Sequence, residues 1–181
     1  MDEQLKEAFI NAKSKDKQVS YEAYRYILQA TDKQVDWAYE VWEDLLEGLR
    51  SKNNHQRSQS VQYLANLAKS DPEKRMLSDL PELWEVTKDD KFVTARHSLQ
   101  AIWKVGLAGD DLKERVMALM ADRFENCMDE KNHTLVRFDI IQNMKHLYDQ
   151  LEDEGIKQTA LDLMHNVEDE KYRKKYLQVW K

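Results

Sequence analysis

A chain of 181 residues can bury a hydrophobic core of its own without the help of a disulfide. Charged residues make up 34% of it and hydrophobic residues 41%, with 5 Trp and 8 Tyr, which argues against disorder through lack of apolar surface. Only 4 Gly and 2 Pro are present, too few for the turns of a many-stranded fold. The composition therefore favours an all-α protein.

Compartment and partner class follow from three further features. Cys127 is the only cysteine, so no internal disulfide can form, and the start MDEQLKEAF lacks the pattern of a secretory signal. No apolar run approaches the roughly 20 residues that a membrane span needs. The formal net charge of -6 argues against non-specific binding to nucleic acid. We expect a cytoplasmic protein that does not insert into a membrane.

The N-terminal segment predicts two helices, near residues 2-14 and 20-31. Ser20 can cap the second of these. Val19 and Tyr24 occupy the two positions of a hydrophobic staple around that cap.

The clearest helix follows, where apolar residues step by three and one; they are Ala38, Val41, Trp42, Leu45, Leu46 and Leu49. Pro81 interrupts the next apolar series and predicts a helix bent around Leu80. The same stepping predicts helices near 111-128 and 153-167.

Short polar breaks between these segments have the length of helix-hairpin turns. We predict about ten helices in five antiparallel pairs, all within a single domain spanning residues 1-181. The pairs are expected near 2-31, 34-69, 73-107, 111-150 and 153-180.

An arginine recurs at the start of alternate helices and anchors a repeated pattern. The anchors are Arg57, Arg96, Arg137 and Arg173, spaced 39, 41 and 36 residues apart. Apolar residues recur at fixed steps from each anchor. The positions expected to be deeply buried are Leu64, Leu99, Trp103, Leu119, Ile140 and Met144.

The segments LPELWEVTKDDKFVTARHSLQAIWKVG and KNHTLVRFDIIQNMKHL carry this pattern best. Over roughly residues 36-181 the chain resembles the HEAT-repeat family, and most closely small uncharacterised bacterial HEAT-like proteins. The resemblance implies a right-handed α-α superhelix, a solenoid of stacked helix pairs, and implies no activity.

Most conspicuous residues have a structural interpretation. The arginine anchors are expected to tie neighbouring repeats together rather than to bind anions. Trp42, Trp84 and Trp103 lie on apolar stripes and are expected in the core. The five histidines never pair at the i, i+4 spacing of a helical zinc site, and Cys127 has no cysteine nearby. We expect no metal and no cofactor.

Outward positions of the second helix of each pair would line the concave face of such a solenoid. The binding residues predicted there are His97, Lys104, Phe138, Asp139, Lys145 and Lys174. Together they suggest a locally basic surface. The alternative is that these positions form an ordinary solvated face.

The leading functional hypothesis is a non-enzymatic protein-protein interaction module that binds an acidic or polar segment of a partner. The alternative is a DNA-binding or DNA-alkylation-repair glycosylase-type enzyme, because HEAT-like glycosylases place a carboxylate and aromatics in a basic groove. Only Asp139, beside Phe138, could supply that carboxylate. The outward positions carry four lysines, Lys104, Lys145, Lys174 and Lys175. They make a thin footprint for phosphates, which disfavours nucleic acid as the partner.

Overall fold

The computed structural model describes residues 1–181 and contains helices but no β-strand. The ten α-helices are α1 (Glu3–Asn11), α2 (Lys17–Thr31), α3 (Ala38–Leu49), α4 (Asn54–Leu67), α5 (Met76–Val86), α6 (Phe92–Ala101), α7 (Asp110–Asn126), α8 (His133–Leu151), α9 (Glu154–His165) and α10 (Glu170–Leu177). Three 3₁₀ segments follow α4, α6 and α10, at Ala68–Ser70, Ile102–Ala108 and Gln178–Trp180. The predicted all-α class and the number of helices are confirmed. None of the helices is both long and apolar enough to cross a bilayer.

Backbone contacts divide the chain into two compact units, residues 1–98 and residues 99–181. The division falls inside α6. The two units are described separately below.

Carboxylate and amide side chains cap five of the helices. The cap residues, whose side chains accept a hydrogen bond from a backbone N–H of the first turn, are Asp2, Asp16, Asn53, Asp153 and Asp169. The predicted cap Ser20 is therefore wrong. Asp16 accepts from the N–H groups of Gln18 and Val19, so α2 begins earlier, and the Ser20 hydroxyl donates to Lys17 O inside the first turn.

In residues 1–98, each helix is tied to the helix one repeat away. Between the second helices, the buried Asn66 amide on α4 donates to Leu28 O on α2, at 3.1 Å. Between the first helices, the indole N–H of the fully buried Trp42 on α3 donates to Asp79 on α5, at 2.8 Å. Both bonds join residues 37 or 38 positions apart, close to the spacing of the arginine anchors.

Residues 99–181 repeat this arrangement. The Lys113 ammonium on α7 donates to the Asp153 carboxylate at the start of α9, at 2.7 Å, over a separation of 40 residues. The Tyr176 hydroxyl on α10 donates to Thr134 O on α8, over 42 residues. Alternate helices thus pack on each other in both units, as stacked helix pairs require. The predicted right-handed superhelix over the whole chain stays a prediction.

Four of the six residues expected in the core are fully buried. Leu64, Ile140 and Met144 have no exposed surface, and Leu99 has 1%. These positions lie at inward steps from their arginine anchors. The repeat pattern therefore identified real core positions.

Trp103 and Leu119 are only half-buried, so the prediction of deep burial was wrong for both. Trp103 lies in a 3₁₀ segment with three residues per turn, where Ile102 and Val105 point inward instead. On α7, Val116 and Met120 form the buried stripe, and Leu119 lies at its edge.

Replacing Ile140 by Ala should lower the free energy of unfolding by about 2 to 5 kcal/mol, because a buried aliphatic side chain is removed and a cavity remains. Urea titration followed by circular dichroism measures the change. Leu119→Ala is the matched control and should cost clearly less, since Leu119 is half-exposed. Equal losses for the two variants would contradict the assignment of Ile140 to the core.

The Arg57–Asp89 pair provides a test of pH dependence. The guanidinium Nε and Nη2 donate to the two Asp89 oxygens at 2.6 and 2.9 Å, and this hydrogen bonding lowers the pKa of Asp89 from its ordinary value. A carboxyl whose pKa is lowered by folding stabilises the protein above its unfolded pKa, about 3.9, and loses that contribution as the pH falls through the folded value.

Asp89→Asn should therefore lower the free energy of unfolding by about 1 to 3 kcal/mol at pH 7, with the difference from wild type shrinking below about pH 4. Chemical unfolding between pH 7 and pH 3 measures it. Asp90→Asn, at the exposed neighbouring position, is the control. A loss that is independent of pH would rule out the ion pair as its cause.

Candidate functional site

The arginine anchors are engaged in structural contacts. Besides Asp89, Arg57 reaches Ser51 O just after α3, at 2.7 Å. Arg137 Nε donates to Phe124 O at 2.8 Å, and Arg173 donates to Val167 O at 3.1 Å. Each of these arginines lies on the second helix of a pair and binds a carbonyl near the end of the first, where main-chain acceptors lack helical partners. Arg57, through Asp89 after α5, ties neighbouring helix pairs as predicted, whereas the contacts of Arg137 and Arg173 lie within one helix pair.

The tryptophans divide between core and surface. Trp42 and Trp84 are buried, as predicted, with 0% and 4% of their surfaces exposed. Trp103 and Trp180 are half-buried and lie in the 3₁₀ segments beside α8. The sequence assigned Trp103 to the core, and its partial exposure instead makes it part of a surface.

The six predicted binding residues lie in both units. His97 is exposed on α6 and belongs to residues 1–98. The other five belong to residues 99–181, where Lys104 is half-buried and Lys174 is exposed. Only these five can be described as one surface.

Asp139 does not belong to that surface, which corrects its assignment as a binding residue. It is 3% exposed and accepts a hydrogen bond from Gln100 Nε2 at 3.2 Å. Its position explains the burial, because it lies at helical spacing between the buried Val136 and Asn143. A carboxylate in this place helps to hold α8 to the C-terminal end of α6.

Phe138 is half-buried and is covered by a lysine from α10. Lys175 Nζ lies 5.2 Å from the centroid of the Phe138 ring, within the range of a cation–π interaction. Lys175 is exposed and has no carboxylate within ion-pair distance. The ring is therefore neither markedly exposed nor fully buried.

The other lysines of the prediction are partly neutralised. Lys145 on α8 forms an ion pair with Asp149, one turn further on, and its ammonium lies 5.9 Å from the Trp180 ring. Lys174 pairs with Glu170 at 2.7 Å. The surface is consequently less basic than its lysine count suggested.

His146 joins the surface although it was left out of the predicted set. Its ring lies 5.0 Å from that of Trp103, and Gln142 Nε2 lies 3.4 Å from His146 Nε2. Burial lowers the pKa of His146, which favours the neutral imidazole near pH 7. The signal was present in the sequence, since Gln142 and His146 fall on the same outward row as Phe138 and Lys145.

These contacts define one cluster, called here the α8 surface. Its members come from α8 and from the segments packed on either side of it. They are Trp103, Phe138, Gln142, Lys145, His146, Lys175 and Trp180. Two buried ring nitrogens within it, His146 Nδ1 and Trp180 Nε1, make no hydrogen bond in the structure. The α8 surface thus offers aromatic faces and one unpaired ammonium, and two polar ring atoms lie unbonded beneath it.

The titratable groups outside the α8 surface do not form a metal site or a reactive thiol. No three His, Cys, Asp or Glu side chains come together in an arrangement suited to a metal ion. Cys127 is 2% exposed, and burial raises the pKa of its thiol, so little thiolate forms at neutral pH. Neither feature provides a reactive centre.

Comparison with known proteins gives no further assignment. No protein-family model matches the chain, and no curated protein sequence is significantly similar to it.

Proposed function

We propose that this chain is a cytoplasmic, non-enzymatic protein-interaction module of HEAT type whose α8 surface binds an acidic or polar segment of a partner protein. The observation that carries the proposal is the pairing of Phe138 with Lys175 on that surface. Phe138 lies on the outward row of α8, and aromatic and cationic side chains of this kind dominate the energetics of interfaces.

The helix stacking in each unit supports this kind of module. Stacked helix pairs present the outward residues of successive second helices side by side, and such surfaces suit extended partners. The 3₁₀ segments that follow α6 and α10 place Trp103 and Trp180 beside α8. Their half-buried rings add apolar area that a partner can cover.

The charges on the α8 surface favour an acidic segment. Lys175 has no carboxylate partner, so an incoming Asp or Glu gains a new ion pair there without displacing an existing one. Lys145 is bound to Asp149 on the same helix, in an exposed i, i+4 pair of the kind worth only about 0.5 kcal/mol. A partner carboxylate can replace it at little cost.

The glycosylase alternative depends on an accessible carboxylate, and Asp139 is buried and hydrogen-bonded to Gln100. Lys145 and Lys174 are already paired with carboxylates. These contacts leave few groups to meet DNA phosphates. No specific observation favours this alternative over a protein partner.

Phe138→Ala should weaken retention of the partner about tenfold, equivalent to ~1.4 kcal/mol, because an aromatic anchor of the interface is lost. Lys175→Glu should weaken it similarly by reversing the unpaired charge. Affinity capture from the native cell with quantitative mass spectrometry identifies the partner, and titration of the purified pair measures the change.

Met128→Ala serves as the matched control, since Met128 is an exposed apolar residue outside the α8 surface. Thermal unfolding of all three variants separates loss of binding from loss of fold. The proposal fails if wild type captures no reproducible partner. It also fails if both α8-surface variants retain partners as well as Met128→Ala does.

A further inference from the structure

A cleft in residues 1–98 lies between α1, α3 and α4, apart from the α8 surface. Its volume is about 750 Å³, within the 300 to 1,000 Å³ typical of small-molecule sites. Phe9 and Ile10 line it from α1, and Val41 and Leu45 line it from α3. Both helices therefore contribute apolar side chains to the cleft.

The floor of the cleft is formed where α3 and α4 approach closely. A Cβ atom at Gly48 would collide with Ser60 Oγ, so the Ser60 hydroxyl would have to rotate away to accommodate any larger residue. Beside it, the rings of Phe9 and Tyr63 meet edge to face, with centroids 6.1 Å apart. The floor is thus built from tightly packed side chains.

Three polar side chains from α4 line this cleft and make no hydrogen bond within the protein: Gln59, Ser60 and Tyr63. Tyr63 is only 3% exposed, and burial raises the pKa of its hydroxyl, which keeps it protonated as a donor. A buried polar group without a partner costs free energy, commonly about 1 to 3 kcal/mol. A ligand with a hydrogen-bonding group can recover part of this cost.

Carboxylates without partners stand on one wall. Asp44 and Glu47 on α3 line the cleft, are exposed, and form no ion pair. On the α1 wall, Lys6 is already paired with Glu3, which leaves Lys13 as the one lysine there without a carboxylate partner. The Met1 ammonium also lines the cleft but is bound to Glu40 at 2.8 Å. The charges that remain without a partner are Asp44 and Glu47 against Lys13, and this balance favours a cationic ligand.

From this arrangement we infer that the cleft binds a small apolar amine, whose body packs against Phe9 and Leu45 and whose ammonium group faces Asp44 and Glu47. Ser60 and Gln59 at the floor supply hydrogen bonds to a polar group on the body. The ring of Phe9 favours an aromatic body, since offset or edge contacts between rings add to the area buried.

Two indole probes of opposite charge test the inference directly. Both compounds are indoles with a short side chain. The side chain of tryptamine ends in an ammonium group, and that of indole-3-propionate ends in a carboxylate. Isothermal titration of the full chain should show tryptamine binding at micromolar to millimolar concentration and indole-3-propionate at least fivefold more weakly. Amide chemical-shift changes should map to α1, α3 and α4.

The double variant Asp44→Asn/Glu47→Gln should bind tryptamine about fivefold more weakly than wild type, as expected for the loss of two partly exposed ion pairs. Asp36→Asn/Asp90→Asn removes the same charge from exposed positions outside the cleft and should leave affinity unchanged. Both variants alter exposed residues, and circular dichroism verifies that they fold. Absence of tryptamine binding, equal binding of the two probes, or equal effects of the two variants would each overturn the inference. None of these results bears on partner capture through the α8 surface.

Discussion

Buried amide side chains that reach across to a neighbouring helix are the constraint on which the rest of this structure depends. Asn66 donates to Leu28 O and Asn143 donates to Leu99 O, and both asparagines are 1% exposed. When a backbone carbonyl of one helix accepts a hydrogen bond from a side-chain amide of the other, the register of the two helices is fixed. A shift by one residue would leave a buried donor without a partner. Within each unit, the two segments joined in this way are held in one register as a result.

This alignment explains how α8 comes to carry a candidate interface. With Asn143 pointing inward to Leu99, the opposite side of α8 must present Phe138, Gln142 and Lys145 outward. The flanking 3₁₀ segments then bring Trp103 and Trp180 beside them. Aromatic and cationic groups therefore meet on one side of α8 as a consequence of its buried side.

The sequence predicted most of this where helical periodicity decides the outcome. Leu64 and Ile140 were assigned correctly because their burial follows from steps of three and four residues. Trp103 was misplaced because the helix tightens to three residues per turn at Ile102, and no residue there signals the change. Asp139 was misplaced because its charge was given more weight than its inward position. The cleft in residues 1–98 was not predicted at all, since it depends on how α1 and α4 meet α3, which periodicity within each helix does not reveal.

One wall of the cleft is formed by α1, so local detachment of this helix would open the site. α1 is short and packs mainly on α2, and helices with few neighbours open locally at a lower free energy than the core does. Phe9 and Lys13 leave the cleft whenever α1 detaches, so the observed affinity of any ligand scales with the fraction of molecules in which α1 is docked. Occupancy of the cleft would in turn slow amide exchange along α1, making the first helix of the chain a reporter of ligand binding.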